Sequence, residues 1–78
     1  MTEVVRNFGA AVRLLREAQA WSQEQLAEHA GLNRSYIGEI ERGRVTASII
    51  TVHKLARALD VPMAELSVQV KPISNSDP

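Results

Sequence analysis

The sequence predicts an all-α fold, a compact bundle of five short helices, on three observations. Hydrophobic residues make up 45% of the 78 residues but aromatics only 4%, namely Phe8, Trp21 and Tyr36, so the core must be aliphatic and suits packed helices. Apolar positions recur at steps of three and four, which gathers them on one face of a helix with 3.6 residues per turn. Ser22, Asn33 and Ser48 stand where helices should open, and Gly31 and Gly43 where they should close. A chain of this length has room for one small domain, which leans against an enzyme. With no cysteine there is neither a disulfide nor a thiolate metal site, so stability must come from helix packing or from dimerisation.

The first helix is expected over residues 4–20, with Val4, Val5, Phe8, Ala11, Val12 and Leu15 inward and Arg6, Arg13, Arg16 and Glu17 on other faces. Ser22 followed three positions later by Gln25 reads as a capping box, and the second helix it opens turns Leu26, Ala27 and Ala30 inward. Gly31 stops it, because glycine enters left-handed backbone without a Cβ penalty. Asn33 caps a third helix over residues 34–42 with Tyr36, Ile37 and Ile40 at helical spacing, and only Gly31 and Leu32 separate the two, so they must diverge sharply. Gly43 stops it. Ser48 caps a fourth helix with Ile49, Val52, Leu55, Ala56 and Leu59 inward. Pro62 suits the first turn of a short fifth, where Val61, Met63 and Leu66 close the core. The domain is expected over residues 1–70, with a polar, Pro-bounded tail over residues 71–78 that frays.

Nine Lys and Arg balance nine Asp and Glu, a zero net charge that argues at first against a nucleic-acid binder. Counted by segment, the balance is uneven. Residues 34–57 carry five cations (Arg34, Arg42, Arg44, Lys54, Arg57) against two anions (Glu39, Glu41), and the remainder carries four against seven.

The stretch from Gln23 to Arg42 meets the demands of two helices crossing at a tight turn. These are a tiny residue at the crossing (Ala27), a glycine in the turn (Gly31), and branched aliphatics inside the second helix (Ile37, Ile40). With these in place, the sequence resembles the Cro/cI-type (XRE) family of helix-turn-helix regulators over about residues 8–66. The similarity is carried by Trp21-Ser22-Gln23-Glu24-Gln25-Leu26-Ala27, by Ala30-Gly31-Leu32, by the run from Tyr36 to Gly43, and by Leu55-Ala56-Arg57-Ala58-Leu59-Asp60-Val61. Within the family, Asn33 to Ile37 with Ile40-Glu41-Arg42 is most similar to the controller proteins of restriction–modification systems. Ala47 departs from the pattern, since many members carry proline there, which leaves that loop less rigid.

The resemblance implies a lambda-repressor-like domain whose second motif helix lies in the DNA major groove with its amino-terminal residues against base edges. Arg34 is then the first candidate for reading sequence, by two parallel hydrogen bonds to a guanine. Ser35 would reach a base edge or a phosphate, Gly38 would allow close approach, and Glu39 would accept from a cytosine amino group or hold Arg34 or Arg42. Tyr36 would lay its ring on a sugar or thymine methyl, or else cover the edge of the core. Gln23, Asn33, Arg42, Arg44, Thr46 and Ser48 are expected to contact phosphates, Gln23 and Ser48 from helix amino termini whose free N–H groups favour anions. Glu24 and Glu28 are either a solvated acidic face or, as acidic residues are at matching positions in a phage repressor of the family, a contact to RNA polymerase.

One reading helix spans too few base pairs to discriminate in a genome, so a homodimer on a double-stranded palindromic operator is expected. Ile50, Met63, Val68 and Val70 are the interface candidates; Val68-Gln69-Val70 alternates like a short strand, but a helix-based interface is preferred. His29 and His53 lie 24 residues apart with no carboxylate cluster, Ser35 and Ser48 lack His–Asp partners, and no glycine-rich phosphate loop is present. No cofactor, metal, catalysis or small-molecule substrate is therefore expected. No run of about 18 apolar residues occurs, which leads to the expectation of a cytoplasmic protein with no membrane partner. The function expected is an autoregulating controller that activates and represses, the alternatives being a plain repressor or phage immunity regulator, or an antitoxin-type interaction module.

Overall fold

The structure, a computed structural model, describes residues 3–67, with side chains over residues 7–66. The helices are α1 (Glu3–Ala18), α2 (Gln23–Ala30), α3 (Arg34–Glu41), α4 (Ile49–Leu59) and α5 (Met63–Ser67), with no strand among the described residues. The predicted all-α class and five-helix order are found. Val68, Val70 and the tail over residues 71–78 lie outside the described residues.

Local chemistry explains where the helices start. The Ser22 hydroxyl accepts from the Gln25 N–H at 3.1 Å while the Gln25 side chain accepts from the Ser22 N–H at 2.8 Å, the reciprocal capping box expected. Asn33 Oδ1 accepts from the Ser35 N–H at 2.8 Å, and Ser48 Oγ from the Thr51 N–H at 3.2 Å. Each supplies an acceptor to an N–H that the first helical turn leaves without a backbone partner. Pro62 falls one residue ahead of α5, where its carbonyl accepts from the Glu65 N–H at 2.9 Å.

Four left-handed residues bring the first four helices to an end: Ala20 (φ 61°), Gly31 (φ 68°), Gly43 (φ 72°) and Asp60 (φ 59°). After each, the next N–H reaches back five residues, from Trp21 to Arg16, Leu32 to Ala27, Arg44 to Glu39, and Val61 to Ala56. This Schellman closure satisfies carbonyls that the last turn would leave unpaired. The expected extension of the first helix to residue 20 is corrected by it: α1 ends at Ala18, and Ala20 takes the left-handed turn although its Cβ makes that conformation unfavourable.

Phe8 and Val12 of α1, Leu26 and Ala27 of α2, Ile37 and Ile40 of α3, and Leu55, Leu59 and Leu66 from the carboxyl half form the buried core. Trp21, Val61 and Met63 are partly buried against it. Ile49 is the miss, being 69% exposed. The inward stripe of α4 begins at Thr51, whose hydroxyl accepts from Ser48 Oγ at 3.2 Å and lies 3.3 Å from Tyr36 Oη, so a hydrogen-bonded threonine fills the place periodicity assigned to an isoleucine. Periodicity does not mark the crossing of α1 and α3 at the buried Gly9, where a Cβ would collide with the Ile40 carbonyl oxygen and come within 3.0 Å of that of Glu41.

Candidate nucleic-acid interface

α3 separates two chemistries. Ile37 and Ile40 turn inward with no exposed surface, while Arg34, Ser35 and Arg42 stand in solvent on the other side with Glu39 half-buried among them. The amino end of α2 abuts this outer face, and Gln23, Arg34, Ser35, Gly38, Glu39 and Arg42 line one open cleft between the two helices. Five of the expected contact residues, Gln23, Arg34, Ser35, Glu39 and Arg42, thus converge on a single surface. Arg44 and Thr46 are exposed on the loop after α3, and Glu24 and Glu28 on α2. Tyr36 does not line the cleft; it is half-buried, and its hydroxyl faces Thr51, which Ser48 also contacts. Met63 is half-buried against the core, whereas Ile50 is 64% exposed.

A buried ion pair sets the spacing of these elements. The Arg16 guanidinium grips Glu41 with two parallel hydrogen bonds, Nε to Oε2 at 2.7 Å and Nη2 to Oε1 at 3.0 Å, and its Nη1 donates to the Trp21 carbonyl at 2.7 Å. Gln23 Nε2 donates to the same Glu41 Oε1 at 3.0 Å. The Glu41 carboxylate therefore ties the end of α1, the start of α2 and the end of α3, and the guanidinium it grips holds the turn after α1. Such a bidentate pair is strong and directional. Hydrogen bonding to Glu41 raises the Arg16 pKa above its ordinary value, against the opposing effect of burial and with the charges of Glu41 and Glu17 adding to the rise. A cation whose pKa is raised on folding contributes stability fully below its unfolded pKa and loses it only as pH climbs through the folded value, so with the Glu41 carboxylate ionised this contribution is complete at neutral pH.

Three expectations change here. Arg16, placed on an outer face by periodicity, is instead turned into this pair, with only 11% of its side chain exposed. The Gln23 side chain commits an amide hydrogen to Glu41. Gly38, expected to allow close approach to its outer face, is buried beneath side chains: a Cβ there would meet Arg42 Nη2 at 3.2 Å and Gln23 Oε1 at 3.5 Å. Glu39 holds Arg42, Oε2 to Nη2 at 2.9 Å, and not Arg34. Arg34 makes no side-chain hydrogen bond or ion pair among the described residues, which leaves its donors on the cleft unspent. Among those residues no group of three or more His, Asp and Glu could hold a metal ion, and no helix is long and apolar enough to cross a membrane.

The tight α2–α3 turn, the inward aliphatics of α3 and its polar outer face define the class: the chain belongs to the helix-turn-helix family, whose pattern matches residues 12–66. Among solved structures it is similar to the restriction–modification controller protein C.AhdI from Aeromonas hydrophila, with a TM-score of 0.78 and 47% identity over 80% of this chain and 94% of that one. It is also 44% identical to control protein C.SmaI of Serratia marcescens over 55 residues, 70% of this chain and 66% of that protein. A hypothetical transcription factor of Neisseria meningitidis serogroup B is 40% identical over 55 residues, 70% of this chain and 52% of its own length. The chain spans about half of that protein and smaller shares, 36% and 40%, of two other regulators it matches.

Proposed function

We propose that this protein is a controller-type transcription regulator that binds a palindromic double-stranded operator as a homodimer inside the cell and governs its own operon together with a restriction gene. The observation that carries the reading is the outer face of α3, where Arg34 and Ser35 stand free beside the amino end of α2, in a chain 47% identical to a restriction–modification controller protein. Arg34 reads a guanine by a bidentate hydrogen bond, with Ser35 and Glu39 against neighbouring base edges. Tyr36, tied to Thr51, serves the DNA contact by its ring edge only. Arg42, Arg44, Thr46, Asn33 and the amino end of α4 capped by Ser48 clamp phosphates. At Gln23 the phosphate contact falls to the backbone N–H groups opening α2, since its side chain is engaged by Glu41. Dimerisation uses Ile50 and the exposed part of Met63, joined by Val68 and Val70, which lie outside the described residues. Glu24 and Glu28, exposed on α2, supply the contact to RNA polymerase.

The experiment is selection of bound fragments from genomic DNA, with Arg34→Ala as control. A two-fold symmetric consensus is expected for the wild type. The Arg34→Ala variant should lose about 1–3 kcal/mol of discrimination at one position of each half-site. A variant that selects the same consensus removes Arg34 from base reading; no consensus at all removes the regulator reading. A plain repressor is the second reading, favoured by 36% identity over 58 residues to the immunity repressor protein of Bacillus phage phi105. Promoter output decides between them: a controller first raises and then lowers it as protein dose increases, a repressor only lowers it.

A further inference from the structure

Gly38 stands in the middle of α3, where glycine is the poorest helix former after proline, and neither a turn nor a left-handed angle requires it. Gly9 offers the contrast. At Gly9 a Cβ would strike the backbone carbonyl of Ile40, so that glycine is demanded by the crossing of α1 and α3. At Gly38 the space is taken only by the tips of side chains: Arg42 Nη2 and Nη1 at 3.2 and 3.4 Å from the place of a Cβ, and Gln23 Oε1 at 3.5 Å. The fold therefore does not need the glycine, because a methyl group would displace only the end of an arginine whose side chain is 52% exposed.

What the glycine gives is a seat. The Arg42 guanidinium lies over Gly38 and is held there by Glu39 Oε2 at 2.9 Å, at the edge of the cleft that Arg34 and Ser35 also line. A long side chain normally loses rotamer freedom when it is fixed in a complex, and one already fixed loses less. We propose that Gly38 is a positioning residue for DNA contact: the room left by its missing Cβ, together with Glu39, keeps the Arg42 guanidinium in the place where it meets a backbone phosphate. This rests on the DNA-binding reading of the same face. The seated contact sets the register of α3 in the groove, while Arg34 reads the bases.

The test is a double-mutant cycle on the full chain with Gly38→Ala, Arg42→Ala and both, measured against a DNA fragment selected by the wild type. Gly38→Ala should melt no lower than the wild type, and about 4 °C higher if helix propensity is fully realised. It should nevertheless bind the selected fragment about tenfold more weakly, the size of one displaced charge-assisted contact. Its binding should also depend less on salt, by about one counterion. In the Arg42→Ala background the alanine should weaken binding less than about twofold, since the seat then has no occupant. Unchanged affinity of Gly38→Ala overturns the proposal, and so does a melting temperature well below the wild type, which would make the glycine a packing residue. An equal loss in both backgrounds also overturns it, because the methyl group would then be blocking DNA directly. If the wild type itself selects no fragment, the DNA-binding reading falls and takes the proposal with it, an outcome distinct from failure of Gly38→Ala alone.

Discussion

Glu41 and Glu39 stand two residues apart on α3 and each holds an arginine, yet the side chains of Arg16 and Glu41 are 11% and 3% exposed while those of Arg42 and Glu39 are 52% and 37% exposed. Two residues along a helix turn a side chain to nearly the opposite side. The inner pair, with Gln23, joins three helices and is largely shielded from solvent, so losing either partner leaves a poorly hydrated charge. The outer pair keeps water on both groups, and its worth to the fold is small. One helix thus uses the same chemistry twice, once to hold the fold and once to arrange an exposed surface. The charge imbalance sharpens accordingly: Glu41 is withdrawn behind the outer face of α3 and Glu39 is matched by Arg42, which leaves Arg34 and Arg44 with no ion-pair partner among the described residues.

The largest test of this contrast is Glu41→Ala, expected to cost about 3–5 kcal/mol of unfolding free energy in urea titration, a large part of what a small domain possesses. Replacing Arg16 and Glu41 together by methionine and leucine should recover most of that loss, because no unpaired charge remains. Next comes Gly9→Ala on the same inner side of α3. A methyl group pressed against the Ile40 carbonyl should push α1 from α3 and cost about 1–3 kcal/mol, read as a lower melting temperature. Arg34→Ala on the outer side should leave stability within about 0.5 kcal/mol while it removes selectivity for DNA, which separates the two faces by two measurements on one variant. Smallest of all, Glu39→Gln should shift the melting curve by less than about 0.5 kcal/mol in free energy. A loss comparable with that of Glu41→Ala would abolish the contrast.

Much of this was legible in the amino-acid sequence because it is local. Ser22, Asn33 and Ser48 accept hydrogen bonds within three residues of themselves, and Gly31 and Gly43 relieve a conformational problem at their own position, so residue type alone marks these boundaries. The end of α1 was obscured because Ala20 adopts the left-handed angle without being glycine. Gly9 looked like an unremarked weak helix former, and only the approach of α3 gives it a reason. Arg16 looked like a surface residue because helical periodicity does not register a charge whose partner lies 25 residues away. On the outer face, the positions of Arg34, Ser35, Glu39 and Arg42 followed from the register of the motif. That Glu39 would choose Arg42, and that Glu41 would capture Gln23, depends on side-chain geometry between helices.

Trp21 is the chain's single tryptophan, and its indole stacks on the His29 ring with centroids 4.1 Å apart and planes 19° from parallel. Its carbonyl receives the third hydrogen bond of Arg16, so the fluorophore sits at the rim of the buried ion pair. Nature has thereby placed an optical gauge at the joint between α1 and α2. Rupture of the Arg16–Glu41 grip frees the turn that holds the indole, and emission from one residue, with no label attached, follows the opening of the joint that positions α2 against α3.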